Sequence, residues 1–403
     1  MGTRCRQRHY MTESKKYFEK LRHSPMFQLS LCSKELFHSN FLYWMWSVSP
    51  VLFRNIIMEL FRMGSAAVST VVWPEKYIVK REHKNYDLCV TDAENNVFLV
   101  IENKVKSIPR LEQLKNYKTK SEMAAHLLLS LADEFPDKDE IVKEWTVVNY
   151  KMLSMALKKL LPDAALGSYQ TAVLLDYADM IESLHQIQKQ WTITDTQSFY
   201  FRDKRPDELR IGDLKEKYRF SSMCIMLTNM LKDLLHVNVD YNTDRNHIFG
   251  DVDSATKIYV NFGMTRAQGL LEAKIRVEPN LILLVQIQGN QYRHCIELNN
   301  TSCDAGQNWK KCSVHKDARW FLYDALNDKS NHQFMQGFMH NEYNKYGSEF
   351  LYRYVTISDD ASIVDVLNNV VTDCKEILNR KTNTQESAVD NGLRTEGGGR
   401  AAF

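Results

Sequence analysis

The chain has 403 residues, with 52 Lys and Arg against 50 Asp and Glu, so a formal charge of +2 advertises no nucleic-acid partner. Its 44% hydrophobic and 25% charged content is that of a soluble globular protein, long enough for two or three domains. With 15 Gly and 8 Pro it is neither collagen-like nor low-complexity, and it contains neither GxxxxGK[ST] nor GxGxxG, so no glycine-rich phosphate cradle is expected.

No apolar run approaches the ~20 residues of a membrane span. The longest, Leu281 to Ile287, is strand-sized. The opening MGTRCRQRHYMTESKK is basic without the apolar core of a signal peptide, and Met11 is a candidate natural start. The 8 cysteines are scattered without CxxC pairs, which reads as reduced thiols in a cytoplasmic protein. Cys303, Cys312 and His315 could begin a zinc site, but the spacing is irregular and no second pair is close.

Residues 33 to 63 read as two helices. Ser49-Pro50 stops the first and starts the second, with Ser as N-cap and Pro at the first helical position. Ala66 to Lys80 is β-branched and aromatic, hence strand-like and interrupted at Pro74. Tyr86 to Val90 and Val97 to Val105 are expected to form a hairpin closed by the polar turn Asp92 to Asn96. A helix from Pro109 to about Lys120, a strand from Ala124 to Leu131, an acidic insertion from Asp133 to Glu144, and a strand from Trp145 to Tyr150 follow. Helices are expected at about 151–161 and 168–190. This order is an α/β sandwich over roughly 25 to 190.

The second half differs. Residues 210–236 read as helix, and 257–262, 270–277, 281–288 and 291–298 as strands, with Gly289-Asn290 as a tight-hairpin signal. Helices are expected near 317–328 and at 362–379, the latter started by Ser362 with Asp365. The expected domains are 25–195, 196–380 as an α+β domain with an antiparallel sheet, and a disordered tail 381–403.

The stretch YDLCVTDAENNVFLVIENKVKSIPRLEQLKNY carries the chemistry. Asp87 sits on one strand of the hairpin, and Glu102 and Lys104 on the other. Strand side chains alternate, so Glu102 and Lys104 share a face while Asn103 points away with its carbonyl near the edge. With Asp87 on that face, two carboxylates and an ammonium converge. Hard oxygen ligands suit Mg²⁺ or Mn²⁺, and an adjacent Lys can orient or help deprotonate a water, which together fit metal-assisted phosphodiester hydrolysis. A structural salt bridge is the competing reading. Gln113 and Tyr117, four apart on the next helix, share a face, and Glu35 on the preceding helix could add a carboxylate.

These residues resemble the PD-(D/E)xK nuclease superfamily, and most closely a bacterial branch whose leading helix reads roughly E-x-F-H-S-x-x-L-x-W. Here that helix reads Glu35-Leu36-Phe37-His38-Ser39-Asn40-Phe41-Leu42-Tyr43-Trp44. The resemblance implies a restriction-endonuclease-like core, a mixed sheet flanked by helices. It implies Asp87 and Glu102 as metal ligands, Lys104 as the catalytic lysine, Glu35 as the helix carboxylate completing the metal site, and Gln113 and Tyr117 as a Q-x-x-x-Y helix contacting substrate. Asn103 joins the expected metal set through its position between Glu102 and Lys104. Tyr86 stands where the family name has Pro. Bacterial defence against phage or mobile DNA is likewise implied by the resemblance alone.

Between Lys104 and Lys120 there are six basic residues and one acid, a local excess fit for phosphate or simply a solvated helix face. Arg202 to Arg219 is nearly balanced. Tyr292, Arg293 and His294 could read bases or a partner, or pack. The leading expectation is a Mg²⁺- or Mn²⁺-dependent DNA endonuclease, acting alone, as a homo-oligomer or with a partner protein of a defence system. An RNA nuclease and a non-catalytic binding module on a nuclease-like scaffold stand as alternatives.

Overall fold

The computed structural model describes residues 15–30, 35–64, 71–193, 197–200, 203–241, 245–251, 257–279, 281–299, 335–336, 344–346 and 350–396. The chain divides into two compact units. One comprises Met1–Thr192 with Asp203–Ser222, the other Ile193–Arg202 with Met223–Phe403. The first unit thus takes in a segment beyond the boundary expected at 195.

The first unit opens with helices α1 (15–23), α2 (Pro25–Leu29), α3 (Glu35–Val48) and α4 (Pro50–Met63). Ser49 caps α4 as expected, its hydroxyl accepting from the Leu52 N–H at 3.3 Å. The periodic apolar stripe of α4 (Leu52, Phe53, Ile56, Ile57, Leu60, Phe61) is buried.

A five-stranded sheet follows, in the spatial order β1 (Ile78–Arg81), β2 (Leu88–Thr91), β3 (Val97–Lys104), β4 (Ala125–Ser130), β5 (Thr146–Asn149). The first three strands pair antiparallel and the last three parallel. Parallel pairs need crossovers. Here these carry α5 (Leu111–Lys120) and the short α6 (Lys138–Ile141). The β2–β3 turn closes on Asp92, whose carboxylate accepts from the Glu94 and Asn96 N–H groups at 3.0 and 2.8 Å. Helices α7 (Tyr150–Leu160) and α8 (Ser168–Lys189) pack on each other, and α7 also packs on α4. The short α9 (Arg205–Glu208) and the start of α10 (Gly212–Leu235) complete this unit.

The strand expected from Ala66 to Lys80 shrinks to Ile78–Arg81. Residues 65–70 lie outside the described residues, and 71–77 form no ladder. Pro74 removes a donor there, and the aromatic residues serve packing instead. The Trp73 ring lies edge-on to Tyr77 at 4.9 Å and to Phe98 at 5.4 Å.

In the second unit, β6 (Asn238–Asp240), α11 (Arg245–Gly250), β7 (Lys257–Thr265), β8 (Gln268–Glu278), β9 (Leu281–Gln288), β10 (Gln291–Leu298), β11 (Met335–Gln336), β12 (Asn344–Tyr346) and β13 (Phe350–Ile357) build a sheet antiparallel except at β6–β7. Gly289, at φ +57°, makes the tight β9–β10 turn. Tyr292 donates to Asp373 at 2.6 Å, the ring of His294 lies 2.7 Å from the same carboxylate, and Arg293 stacks 4.5 Å over Tyr352. These three side chains are therefore engaged within the unit.

Helix α12 (Ile363–Glu396) starts where Ser362 accepts from the Asp365 N–H at 3.1 Å, as expected. It then runs through 381–396, where a disordered tail was expected. That stretch lacks proline, and its first glycine is Gly392, so nothing breaks the helix earlier. The helix expected at 317–328 and the Cys303, Cys312 and His315 group lie outside the described residues. Among the described residues, no helix is long and apolar enough to cross a membrane.

Candidate active site

The site forms where the β2–β3 ladder ends. Leu88 pairs with Ile101, so Asp87, one residue earlier, falls across from Glu102. The Asn103 N–H donates to Asp87 Oδ2 at 2.7 Å, which fixes that carboxylate against β3. On β3, alternation puts Glu102 and Lys104 on one face, and Lys104 Nζ lies 2.8 Å from Glu102 Oε1. Both side chains are almost entirely removed from water, at 7% and 3% exposure. Glu102 Oε2 is buried with no hydrogen-bond partner.

The electrostatics follow from this crowding. Burial pushes the Glu102 carboxyl up to about 7, and the Asp87 charge adds to the push while Lys104 opposes it. Burial raises Asp87 as well, against the Asn103 hydrogen bond and the Lys104 charge. Burial works against the Lys104 ammonium, yet Glu102, helped by Glu35 and Asp87, holds it above its usual range. A buried and a half-buried carboxylate thus lie in the field of one ammonium, which pairs with Glu102, and one Glu102 oxygen has no hydrogen-bond partner. That deficit of positive charge and the hard oxygen donors fit a divalent cation.

Gln113 and Tyr117 stand over Glu102 from α5. Gln113 Nε2 donates to the Tyr117 hydroxyl at 2.9 Å and reaches Glu102 Oε1 at a long 3.4 Å. The Tyr117 ring lies edge-on to buried Tyr86 at 5.3 Å. The i, i+4 spacing therefore links the Tyr117 hydroxyl to the Gln113 amide that reaches the carboxylate.

Asn103 points the other way, as alternation predicts, and its side chain is no ligand here. Its Nδ2 donates to Ser39 Oγ at 2.8 Å, and its Oδ1 accepts from Tyr150 at 3.3 Å. Ser39 and the fully buried His38, which contacts the Tyr177 hydroxyl at 3.1 Å, thus tie α3 to the back of β3 and to α8. Burial pulls His38 down to about 3, so it is a neutral packing residue.

Glu35 acts on Asp87 and Lys104 through its charge and hydrogen-bonds the loop after β3. Its Oε1 accepts from the Lys106 N–H at 3.0 Å, the Ser107 N–H at 2.5 Å and the Ser107 hydroxyl at 2.6 Å. Among the described residues, no group of three or more His, Cys, Asp or Glu side chains converges to hold a metal ion. The reason is local: the loop leaving β3 presents three donors to the first turn of α3, and the carboxylate caps them.

Sequence reasoning missed the rest of that clasp. Tyr218 donates to the Val105 carbonyl at 2.8 Å and Lys217 to the Lys106 carbonyl at 2.9 Å, while Lys106 pairs with Asp213 at 2.8 Å. All three partners lie on the α10 segment of the first unit. No spacing signal links residues more than a hundred positions apart. Of the basic run, Lys106, Arg110, Lys115 and Lys120 are exposed.

The mixed sheet flanked by helices, with Asp87 and the ExK pair at the end of a hairpin, is the PD-(D/E)xK arrangement. No curated protein and no solved structure matches the chain. Residues 26–190 match a family model described as the PD-(D/E)XK nuclease superfamily.

Proposed function

We propose that the chain is a divalent-metal-dependent nuclease that hydrolyses phosphodiester bonds, a DNA endonuclease of bacterial defence against phage or mobile DNA acting in the cytoplasm. The observation that carries the reading is the buried Glu102–Lys104 pair beside the half-buried Asp87, with Glu102 Oε2 left without a partner. Isolated buried charge is costly, so such a cluster is retained where a cation or substrate completes it. Asp87 and Glu102 would hold Mg²⁺ or Mn²⁺, with the Asn103 backbone carbonyl as a third oxygen. When bound, the ion supplies Lewis acidity at the phosphate and a more acidic water.

The remaining work falls to the chain. Lys104 Nζ, held protonated by Glu102, donates to the attacking water or a phosphate oxygen and offsets charge as it develops there. The Gln113 amide and Tyr117 hydroxyl orient the phosphate from the α5 side. The exposed Lys115 and Lys120 on the same helix add sequence-independent attraction for the backbone. Cys89, Cys224, Cys295 and Cys374, buried and outside any disulfide, accord with a reducing compartment.

The test is cleavage of plasmid, single-stranded DNA and RNA side by side with Mg²⁺ or Mn²⁺. Wild type should cut DNA, and Asp87→Ala and Lys104→Ala should each lose at least about a hundredfold of the rate. Cutting that survives in both variants would sink the assignment. Preference for RNA would move the substrate, and absence of cutting by wild type on every substrate would favour a binding module.

A further inference from the structure

An open groove of about 710 Å³ runs along the edge of the first unit's sheet and takes no part in the chemistry above. One wall is the α3 stripe Leu36, Asn40 and Tyr43, at i, i+4 and i+7. The other is β1 and the turn after it. Strand β1 is the outermost of the five.

The groove is cationic and aromatic. Arg81 crosses it, with its guanidinium 4.5 Å from the Tyr43 ring centroid and one nitrogen donating to Asn40 Oδ1. Lys80 and Arg81 outnumber the one acid of the lining, Glu82. The Glu82 end of the groove lies at the end of the sheet where Asp87 leads into β2. The Glu82 N–H donates to the Asp87 carbonyl at 3.2 Å. The turn between them is strained, with Glu82, Lys84 and Asn85 at φ 49°, 55° and 70°. Glu35, next to the lining residue Leu36, grips the loop that follows Lys104.

We propose that this groove binds a single strand of nucleic acid and leads it to the Asp87–Glu102 carboxylates, an assignment that rests on the nuclease reading and specifies its substrate form. A Tyr ring paired with a guanidinium offers a π-face to bases, which only an unpaired strand exposes. The volume is that of a drug-sized ligand, on the order of two nucleotides. An extended peptide adding to the β1 edge is the competing occupant. Arg81 bridging from β1 to α3 lies across the path such a strand would take.

The experiment uses the full chain with Asp87→Asn as a non-cleaving background. Anisotropy of a short fluorescein-labelled single-stranded oligonucleotide and of the matching hairpin duplex is read without metal. Tyr43→Ala should weaken single-strand binding about tenfold and leave duplex binding within about twofold. Arg81→Gln should lower the slope of log affinity against log salt by about 0.7 on the single strand. In the cleaving protein, both substitutions should raise KM for single strands with little change in kcat. Unchanged affinity and KM in both variants, with melting temperatures preserved, would overturn the groove assignment while leaving the nuclease standing. Single-strand binding lost in both variants of a protein that never cuts would keep the groove and remove the nuclease. Displacement of the oligonucleotide by an acidic peptide, with Tyr43→Ala inert toward the oligonucleotide, would assign the groove to a protein partner and overturn the proposal.

Discussion

Glu35 separates two accounts of the same helix. Its single oxygen Oε1 takes three hydrogen bonds from Lys106 and Ser107, at 3.0, 2.5 and 2.6 Å. Bonds to a charged acceptor contribute about 1.5–3 kcal/mol each when buried. This carboxylate is half-buried and the Lys106 end faces water, so a net loss of about 2–3 kcal/mol is expected for Glu35→Ala. The larger effect is on rate. The gripped loop begins directly after Lys104, and a displacement of about 1 Å in a catalytic group costs on the order of a hundredfold. Glu35→Ala should therefore lower kcat by about ten- to a hundredfold. Glu35→Gln keeps an oxygen acceptor in place and should recover to within about fivefold of wild type. In neither variant should the metal concentration for half-maximal cleavage move. A metal titration of cleavage rate, run alongside urea denaturation of all three proteins, reads both quantities. Should Glu35→Gln be as inactive as Glu35→Ala and need many times more metal, the carboxylate is a ligand and the clasp account is wrong.

Gly64 sits at the end of α4, where a Cβ would come within 2.6 Å of Thr146 Cγ2 and 2.9 Å of Val148 Cγ1 on β5. Gly64→Ala should cost about 1–3 kcal/mol, visible as a lowered denaturation midpoint, and an unchanged midpoint would mean the helix end and strand are not this close. Ser49→Ala removes the α4 cap and should cost about 1 kcal/mol, with Ser49→Asp restoring most of it. Asp133 accepts from His185 at 2.9 Å and Asn149 at 2.7 Å. The His185 bond holds its carboxyl at about 2 against an ordinary 3.8. A depressed carboxyl stabilises the fold above about pH 4 and loses that contribution as pH falls toward 2, on the order of 1 kcal/mol for a side chain one-third in water. Asp133→Asn should flatten the pH dependence of the midpoint over that window, and identical slopes in the two proteins would refute the pairing.

Much of the site could be read before the fold. Two-residue alternation placed Glu102 with Lys104 and turned Asn103 away, and the i, i+4 rule brought Gln113 and Tyr117 to one side of α5. The Asp92–Asn96 turn set the register that carries Asp87 to Glu102. These are local regularities, and local rules reach them. The clasp that Glu35 makes was invisible because its partners are mostly backbone donors of a distant loop, and every residue type but proline has such a donor. The strand expected at 66–80 failed for a different reason: aromatic and β-branched residues satisfy a packing demand as readily as a ladder, and Trp73 and Tyr77 do the former. Strand β13 passed unnoticed although FLYRYVTI alternates in burial along its whole length. Its half-exposed face carries the rings of Tyr352 and Tyr354 while its buried face carries Arg353, so polarity does not follow burial and the period of two was hidden.

Helix α10 belongs to the first unit only as far as Ser222. The family match stops at residue 190, short of Asp213, Lys217 and Tyr218, the three residues that hold the loop behind Lys104. A protein trimmed to the matched segment would carry Asp87, Glu102 and Lys104, keep the Glu35 hydrogen bonds to that loop and lose those from α10. Domain boundaries drawn from sequence similarity would therefore keep the Asp87, Glu102 and Lys104 cluster and lose the α10 contacts to the loop behind it. A functional fragment has to run into α10 and stop part-way along a helix.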